Sequence, residues 1–307
     1  MNYISVFSSS WWLDAVAPGA WGAVTVEKGG QIAARLPYVS RHKRGMIMLT
    51  MPPLTQTLGP WLRPISGKYT NRLSKEKQLM TELIEMLPKF DLFTQNFHHS
   101  ITNWLPFYWQ GFQQTTRYTY VIEDLTDLDS VWQAIRSSTK TAVRKARKQL
   151  SVRCDLGLDA FLDLNEMTFS RQGFSLPYSR DLVARLDRAC EDRNCRRMFF
   201  AEDAQGRLHA AVYIIWDEQA AYYLMGGSDP ELRNSGAMGL VMWEAIQYSA
   251  SVTQSFDFEG SMIESVERFF RSFGARQKPY FQVSKVNSLP FKAYQDMRSW
   301  AKLLYDR

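Results

Sequence analysis

The clearest hydrophobic patterning lies between residues 220 and 285. A Tyr-rich apolar run from Ala220 to Met225 ends in Gly226-Gly227-Ser228 and gives way to a polar loop. Apolar residues then recur at Leu240, Trp243, Ile246 and Ala250, a spacing that predicts a helix. Phe256-Asp257-Phe258-Glu259 alternates strictly and stops at Gly260, which predicts a short half-buried strand. A second helix is expected over 264–273, closed by Gly274 as a left-handed cap, and a last strand over 280–285. Strand, loop, helix, strand, helix, strand in so short a stretch predicts an α/β unit.

Upstream the signals are shorter. A helix is expected over 8–16, with Trp11, Trp12 and Ala15 on one side. Strands over 23–27 and 31–39 are split by Gly29-Gly30, a hairpin signal. A third apolar run, 46–51, ends at Pro52-Pro53, and the Thr-, Gly- and Pro-rich loop 54–64 is either irregular surface or a substrate wall. Residues 74–88 predict an amphipathic helix capped by Ser74, with Leu79, Met80, Leu83, Ile84 and Leu87 on one face. Strands over 90–97 and 118–123 flank an aromatic block, 104–112, that stops at Gly111. Residues 124–150 read as helix, their apolar face being Trp132, Ile135, Ala142, Val143, Ala146 and Leu150. Helices over 159–173 and 180–193 precede a hairpin of 198–204 and 208–216. The order strand, helix closed by glycine, strand occurs at 93–122 and again at 256–283. This predicts two copies of one α/β module, over 1–124 and 125–307.

Composition narrows the class. With 307 residues, 45% hydrophobic and 14% aromatic, the chain can bury two cores and is not disordered. A net charge of +6 permits an anionic partner without requiring one. Cys154, Cys190 and Cys195 suit neither a disulfide framework nor a zinc site, and the four histidines show no metal-ligand spacing, so no metal is expected. The setting expected is reducing and cytoplasmic. The N-terminus does not resemble a secretory leader, and no run approaches the roughly 18 apolar residues of a membrane span; peripheral membrane contact stays open. Arg136, Lys140, Arg144 and Lys148 recur every four residues. Like charges so spaced oppose an isolated helix by roughly 0.2–0.5 kcal/mol per pair, so the stripe is either a solvated face or an anion-binding one. The spaced aromatics of a single-strand nucleic-acid binder are missing, and DNA is not expected.

Three local patterns carry a family resemblance: R-K-A-R-K at 144–148; W-E-A-I at 243–246 followed by F-D-F-E-G; and F-x-x-F-G-A at 270–275 before Pro279-Tyr280. Together they resemble the GNAT acyltransferase superfamily, and more narrowly its tandem branch containing Fem-type peptidoglycan aminoacyltransferases. The resemblance covers 130–285 well, and 1–120 only in length and element order. It implies an α/β (α+β) fold of two GNAT-like modules, each a mixed, mostly antiparallel sheet flanked by helices. It implies a donor lying between splayed strands at 220–225 and 255–259, its carbonyl held by backbone N–H groups. The donor-binding residues would be Tyr223, Met225, Gly226, Arg233, Ser235, Gly236, Ala237 and Gly239. Asp257 and Glu259 would share a strand face and supply a base, with capping of the following helix or pairing with Arg271 as the alternative. Lys140, Arg144, Lys148, Glu166 and Arg171 are acceptor- or anion-binding candidates, and a surface salt bridge is the alternative for Glu166.

Two departures stand out. The phosphate loop of the superfamily, Q/R-x-x-G-x-G/A, meets Met238 where a small residue is usual. Phe270 stands where many GNAT enzymes carry a Tyr that protonates the leaving thiol, as it does in Fem-type enzymes. The resemblance therefore implies an acyltransferase moving an acyl group from acetyl-CoA or another acyl-CoA to an amine of a cell-envelope or sugar-derived acceptor. Aminoacyl-tRNA is the alternative donor, and a non-catalytic binding module the third reading. The acceptor, a small molecule or cell-wall precursor, is expected in the groove between the two modules, walled by loop 54–64 of the first.

Overall fold

Gly29 and Gly30 both adopt positive φ (63° and 73°), a conformation open to glycine at little cost, and so reverse the chain. They join β1 (Trp21–Lys28) to β2 (Gln31–Lys43) in an antiparallel hairpin that follows helix α1 (Ser10–Val16). The computed structural model describes residues 5–171 and 173–288. Within them the chain forms two units, Met1–Arg117 with Tyr280–Arg307, and Tyr118–Pro279. The expected boundaries were 1–124 and 125–307. The difference arises because the last strand begins in one unit and ends in the other.

In the first unit β2 continues into β3 (Met46–Thr50), antiparallel, with β4 (Trp61–Leu62) against β2. Helix α2 (Tyr69–Glu85) then returns the chain to β5 (Leu92–Asn96), which pairs parallel with β3. α2 buries Leu79, Met80, Leu83 and Ile84 as its pattern requires, but it starts at Tyr69, ahead of Ser74. Ser74 lies inside the helix, its hydroxyl donating to the Thr70 carbonyl at 2.9 Å; nothing in 69–73 breaks a helix. The short α3 (Leu105–Trp109) is closed by Gly111 at φ 80° and leads into β6 (Gln113–Ile122). Leu36, Leu49, Phe93, Phe97, Phe107 and Val283 form the core.

The second unit departs from expectation in its first helix. The apolar face of 124–150 belongs to two helices, α4 (Leu128–Ala134) and α5 (Ser137–Ala146), followed by β7 (Leu150–Arg153). Ile135 is buried and extended (ψ 137°), and the Arg136 amide donates to the Ser272 carbonyl at 2.9 Å. That tertiary contact breaks the helix where the sequence pattern does not. Next come α6 (Leu158–Arg171), α7 (Arg180–Glu191), β8 (Arg196–Asp203), β9 (Leu208–Trp216) and β10 (Ala220–Ser228). α8 (Ala237–Ser249), β11 (Ser255–Asp257), α9 (Glu264–Arg271) and β12 (Arg276–Val286) complete the chain. The strand order is β7-β8-β9-β10-β11-β6, antiparallel except for β10 with β11. Trp243, Ile246, Phe256, Phe258, Phe270 and Phe273 fill one core with α4, α5 and α8.

The two units repeat one plan: an antiparallel run, a strand pairing parallel to its last member, then a short helix closed by a positive-φ glycine. Gly111 and Gly274 (φ 77°) hold that place in each. From Tyr280 onward β12 lies in the first unit, antiparallel to β5.

Candidate active site

β10 and β11 run together for three pairs, Ala220↔Ser255, Ala221↔Phe256 and Tyr222↔Asp257, and then part. The parting has identifiable causes on both sides. β11 is drawn onto β6: Thr119 donates its hydroxyl to Asp257 Oδ1, and the Phe258 amide donates to the Tyr120 carbonyl at 2.9 Å. Gly260 (φ 66°) follows so closely that a side chain there would overlap the Tyr118 carbonyl. β10 is bulged against β9 between Tyr223 and Met225, which adds local twist. Gly226 and Gly227, expected to end the strand, lie within it.

Asp257 and Glu259 do come together, though not by strand alternation. β11 ends at Asp257; Glu259 has φ 58° and its amide donates to Asp257 Oδ1 at 2.7 Å. Burial pushes the Asp257 carboxyl up to about 6, against the opposing pull of Thr119 and the Glu259 amide. Burial, and then the charge of Asp257, push Glu259 well above the usual carboxylate range. Asp257 therefore both ties the turn and holds its proton well above the usual carboxylate range. Perturbation of this kind, in a gap between strands, marks a candidate catalytic group.

Across the opening, Tyr223 stacks edge-on against Phe270 at 5.7 Å. Its hydroxyl lies over Gly226, where a side chain would overlap it. Burial raises the Tyr223 pKa first, and the nearby Tyr178 and Glu259 add to the effect. Two residues missed by sequence reading stand behind this edge. Asn165 on α6 donates its amide to the Gly226 carbonyl at 2.7 Å, and Tyr178 donates its hydroxyl to Asn165 Oδ1 at 2.9 Å. Burial pushes Tyr178 up to about 12. A lone Asn inside an amphipathic helix and a Tyr in a loop carry no motif. The nearest signal was the paired glycine, which lets α6 lie directly on β10.

The donor loop is only half of what a pyrophosphate would want. Arg233 is exposed and Gly236 (φ 79°) admits the chain to α8. The N-terminal amides of a helix this long suit an anion. However, Ser235 Oγ accepts the Ala237 amide at 3.3 Å, and the backbone of α5 lies against Gly236. Gly239 faces Val143, and Met225 is buried.

The remaining candidates lie elsewhere. Lys140 donates to the Gln133 carbonyl at 3.0 Å, Arg144 lies over the Trp132 ring, and Lys148 sits past the end of α5, so the stripe is shorter than its spacing implied. Glu166 pairs with Arg180 at 2.9 Å, not with Arg171, which is exposed. In the first unit, residues 57–62 of the loop flagged as a wall line a cavity of about 290 Å³ with His98 and Asn103. Burial, with His99 adjacent, pushes His98 down to about 3. Among the described residues no group of three or more His, Cys, Asp or Glu side chains is placed to hold a metal ion. Among them, too, no helix is long and apolar enough to cross a membrane.

Residues 133–271 match the model of the acetyltransferase (GNAT) domain. No curated protein matches the chain. Among solved structures, FemX is similar with a TM-score of 0.66 at 12% identity, covering 90% of this chain and 91% of that one. The C-terminal domain (DUF2156) of a proposed lysylphosphatidylglycerol synthetase from Agrobacterium fabrum gives 0.55 at 12%, covering 94% and 90%. A tandem GNAT protein from the clavulanic acid biosynthesis pathway gives 0.51 at 12%, covering 90% and 86%. Residues 133–271 thus match a GNAT domain, and the chain as a whole has the fold of Fem-like tandem GNAT proteins.

Proposed function

We propose that the chain transfers an acyl group from an acyl-CoA to an amine of a cell-envelope or sugar-derived acceptor. The observation that carries this reading is the parting of β10 and β11 at Tyr222 and Asp257, with a buried carboxylate that titrates near 6 at its apex. The amine nitrogen attacks the thioester carbonyl, a C–N bond forms, and the C–S bond breaks on collapse of the tetrahedral species. Asp257 takes the proton that the attacking amine sheds. A thiol of ordinary pKa, about 8.5, leaves as thiolate without needing an acid, which accommodates Phe270. Positioning between the strands and the Gly226 N–H on the edge of β10 that β11 leaves supply the rest. Titration calorimetry with acetyl-CoA and with CoA tests the donor: heat of binding with either is expected, and none with both would overturn it.

A second reading replaces the donor with aminoacyl-tRNA. It is favoured by the outward cations Arg144 and Lys148 and by the hydroxyl of Tyr223 beside Phe270. An alkoxide leaving group, unlike a thiolate, needs a proton donor there.

A further inference from the structure

The edge of β10 that β11 abandons is held by α6 instead. Within a strand, the N–H and C=O of one residue point to the same side, and successive residues alternate. The Gly226 carbonyl accepts from Asn165, the Ser228 amide donates to Thr168 Oγ1 at 2.9 Å, and both groups therefore lie on the edge facing away from β9. The amide of Gly226 shares that edge. Asn165 is itself fixed: it is 1% exposed, its Nδ2 is committed to Gly226 and its Oδ1 accepts the Tyr178 hydroxyl. The carboxamide orientation is thus set by donors and acceptors at both ends. Tyr178 hangs from the segment joining α6 to α7, steadied by an edge-on contact with Phe169 at 6.3 Å. That segment also carries Phe174, which is 65% exposed.

We propose that Tyr178 and Asn165 are positioning residues, a two-link relay that sets the Gly226 peptide edge for the acyl group and couples it to the α6–α7 segment. The relay touches no reacting atom; it acts through Gly226. Phe174 and its neighbours stand at the outer end, so an acceptor resting on that segment would press on the same hydrogen-bonded chain. The assignment to catalysis rests on the acyltransferase reading above, whereas the geometry of the edge does not.

Two variants separate the links. Tyr178→Phe removes only the hydroxyl. Asn165→Asp keeps an acceptor for Tyr178 but places an oxygen where the donor to Gly226 stood. Thr168→Val, one turn further along α6, is the control for loss of any helix–strand hydrogen bond. The backbone carbonyl-carbon NMR shift of Gly226, measured on the full chain, reads the hydrogen bond that this carbonyl accepts without a substrate. It is expected to move upfield in both relay variants, further in Asn165→Asp, while the carbonyl shifts of Tyr213 and Ile214 on β9 stay unchanged. An unchanged Gly226 carbonyl shift in both variants would overturn the relay. With acetyl-CoA and an amine acceptor, kcat is expected to fall about tenfold in both, the worth of one net hydrogen bond, at constant donor KM, and to stay within about twofold in Thr168→Val. A moved carbonyl shift with an unaltered kcat, or an equal loss in Thr168→Val, would overturn the catalytic role. A wild-type chain that shows no donor binding would instead count against the acyl-CoA reading and leave the carbonyl shift to judge the relay.

Discussion

The main-chain amide of Glu259 donates to Asp257 Oδ1 at 2.7 Å, so the residue we propose as the base also ties the turn that carries its neighbour. The tie makes Asp257 sensitive to pH in a defined direction. Its folded pKa, about 6, lies above the ordinary 3.8. Between those values the folded chain keeps a proton the unfolded chain has released. The contribution of Asp257 to stability is therefore greatest below pH 4, falls as pH rises towards 6 and levels above it, by about 3 kcal/mol at most. Asp257→Asn should flatten this difference in a comparison of urea midpoints from pH 4 to 7. A difference that persists in the variant would assign the titration to another group.

The same substitution separates binding from chemistry. Asn keeps the shape of Asp and an acceptor for the Glu259 amide, but it takes no proton. Turnover at pH 7.5 should fall about 100-fold, the lower range for loss of a general base, with donor affinity within about twofold. The acid limb near pH 6 should vanish from the kcat profile. Full activity in Asp257→Asn would remove it from the chemistry.

Gly236 shows where sequence and structure part company. As the glycine of a phosphate loop, its replacement should weaken donor binding alone. In the structure it has φ 79°, and a Cβ would sit 2.9 Å from the Ala142 carbonyl of α5. Gly236→Val should therefore cost about 3 kcal/mol from strain and displacement of α5, lowering Tm by roughly 5–10 °C. Differential scanning fluorimetry decides: weaker donor binding at an unchanged Tm would restore the phosphate-loop role.

What was legible in the sequence follows from how local each signal is. The Gly29-Gly30 hairpin, the alternation at 256–258 and the glycine stops at 111 and 274 depend on neighbours a few residues away, and the chain obeys them. The break at Ile135-Arg136 depends on the Ser272 carbonyl, far along the chain, and helical periodicity ran straight across it. Asp257 was found because alternation put it on a polar face. Glu259 was found by the same rule and sits beside Asp257 through a left-handed turn the rule does not contain. Asn165 and Tyr178 were invisible because their role exists only where α6 meets the free edge of β10.

The aminoacyl-tRNA reading has its own test. Lys140, Arg144 and Lys148 lie on or just beyond α5, and none has an acidic partner within it. Reversing all three to Glu removes the Lys140 bond to the Gln133 carbonyl and the Arg144 contact with Trp132 and should lower Tm by a few degrees without unfolding the chain. If they meet phosphates, the slope of log affinity for tRNA against log salt should shrink by about 3, near 0.9 for each phosphate that is no longer neutralised. An unchanged slope and affinity would leave the stripe a solvated face.

The adjacent glycines of β10 should respond oppositely to one methyl group. At Gly226 the new Cβ meets the Tyr223 hydroxyl and ring, its Cζ at 2.9 Å, and that is the free end of a side chain with two rotatable bonds. At Gly227 it meets the α6 backbone, Leu164 C at 2.5 Å and Asn165 Cα at 2.7 Å, which yields only if the helix shifts. Gly226→Ala should fold with a loss of about 1 kcal/mol, yet turnover should fall about tenfold as Tyr223 swings away from Phe270. Gly227→Ala should lose about 3 kcal/mol or more, melting roughly 10 °C lower or failing to accumulate as soluble protein, because it separates α6 from β10 and breaks the Asn165 and Thr168 bonds together. Melting curves and turnover of the two purified variants give the comparison. A Gly227→Ala chain that melts within about 2 °C of the wild type would mean that α6 does not lie on β10 as closely as the geometry requires.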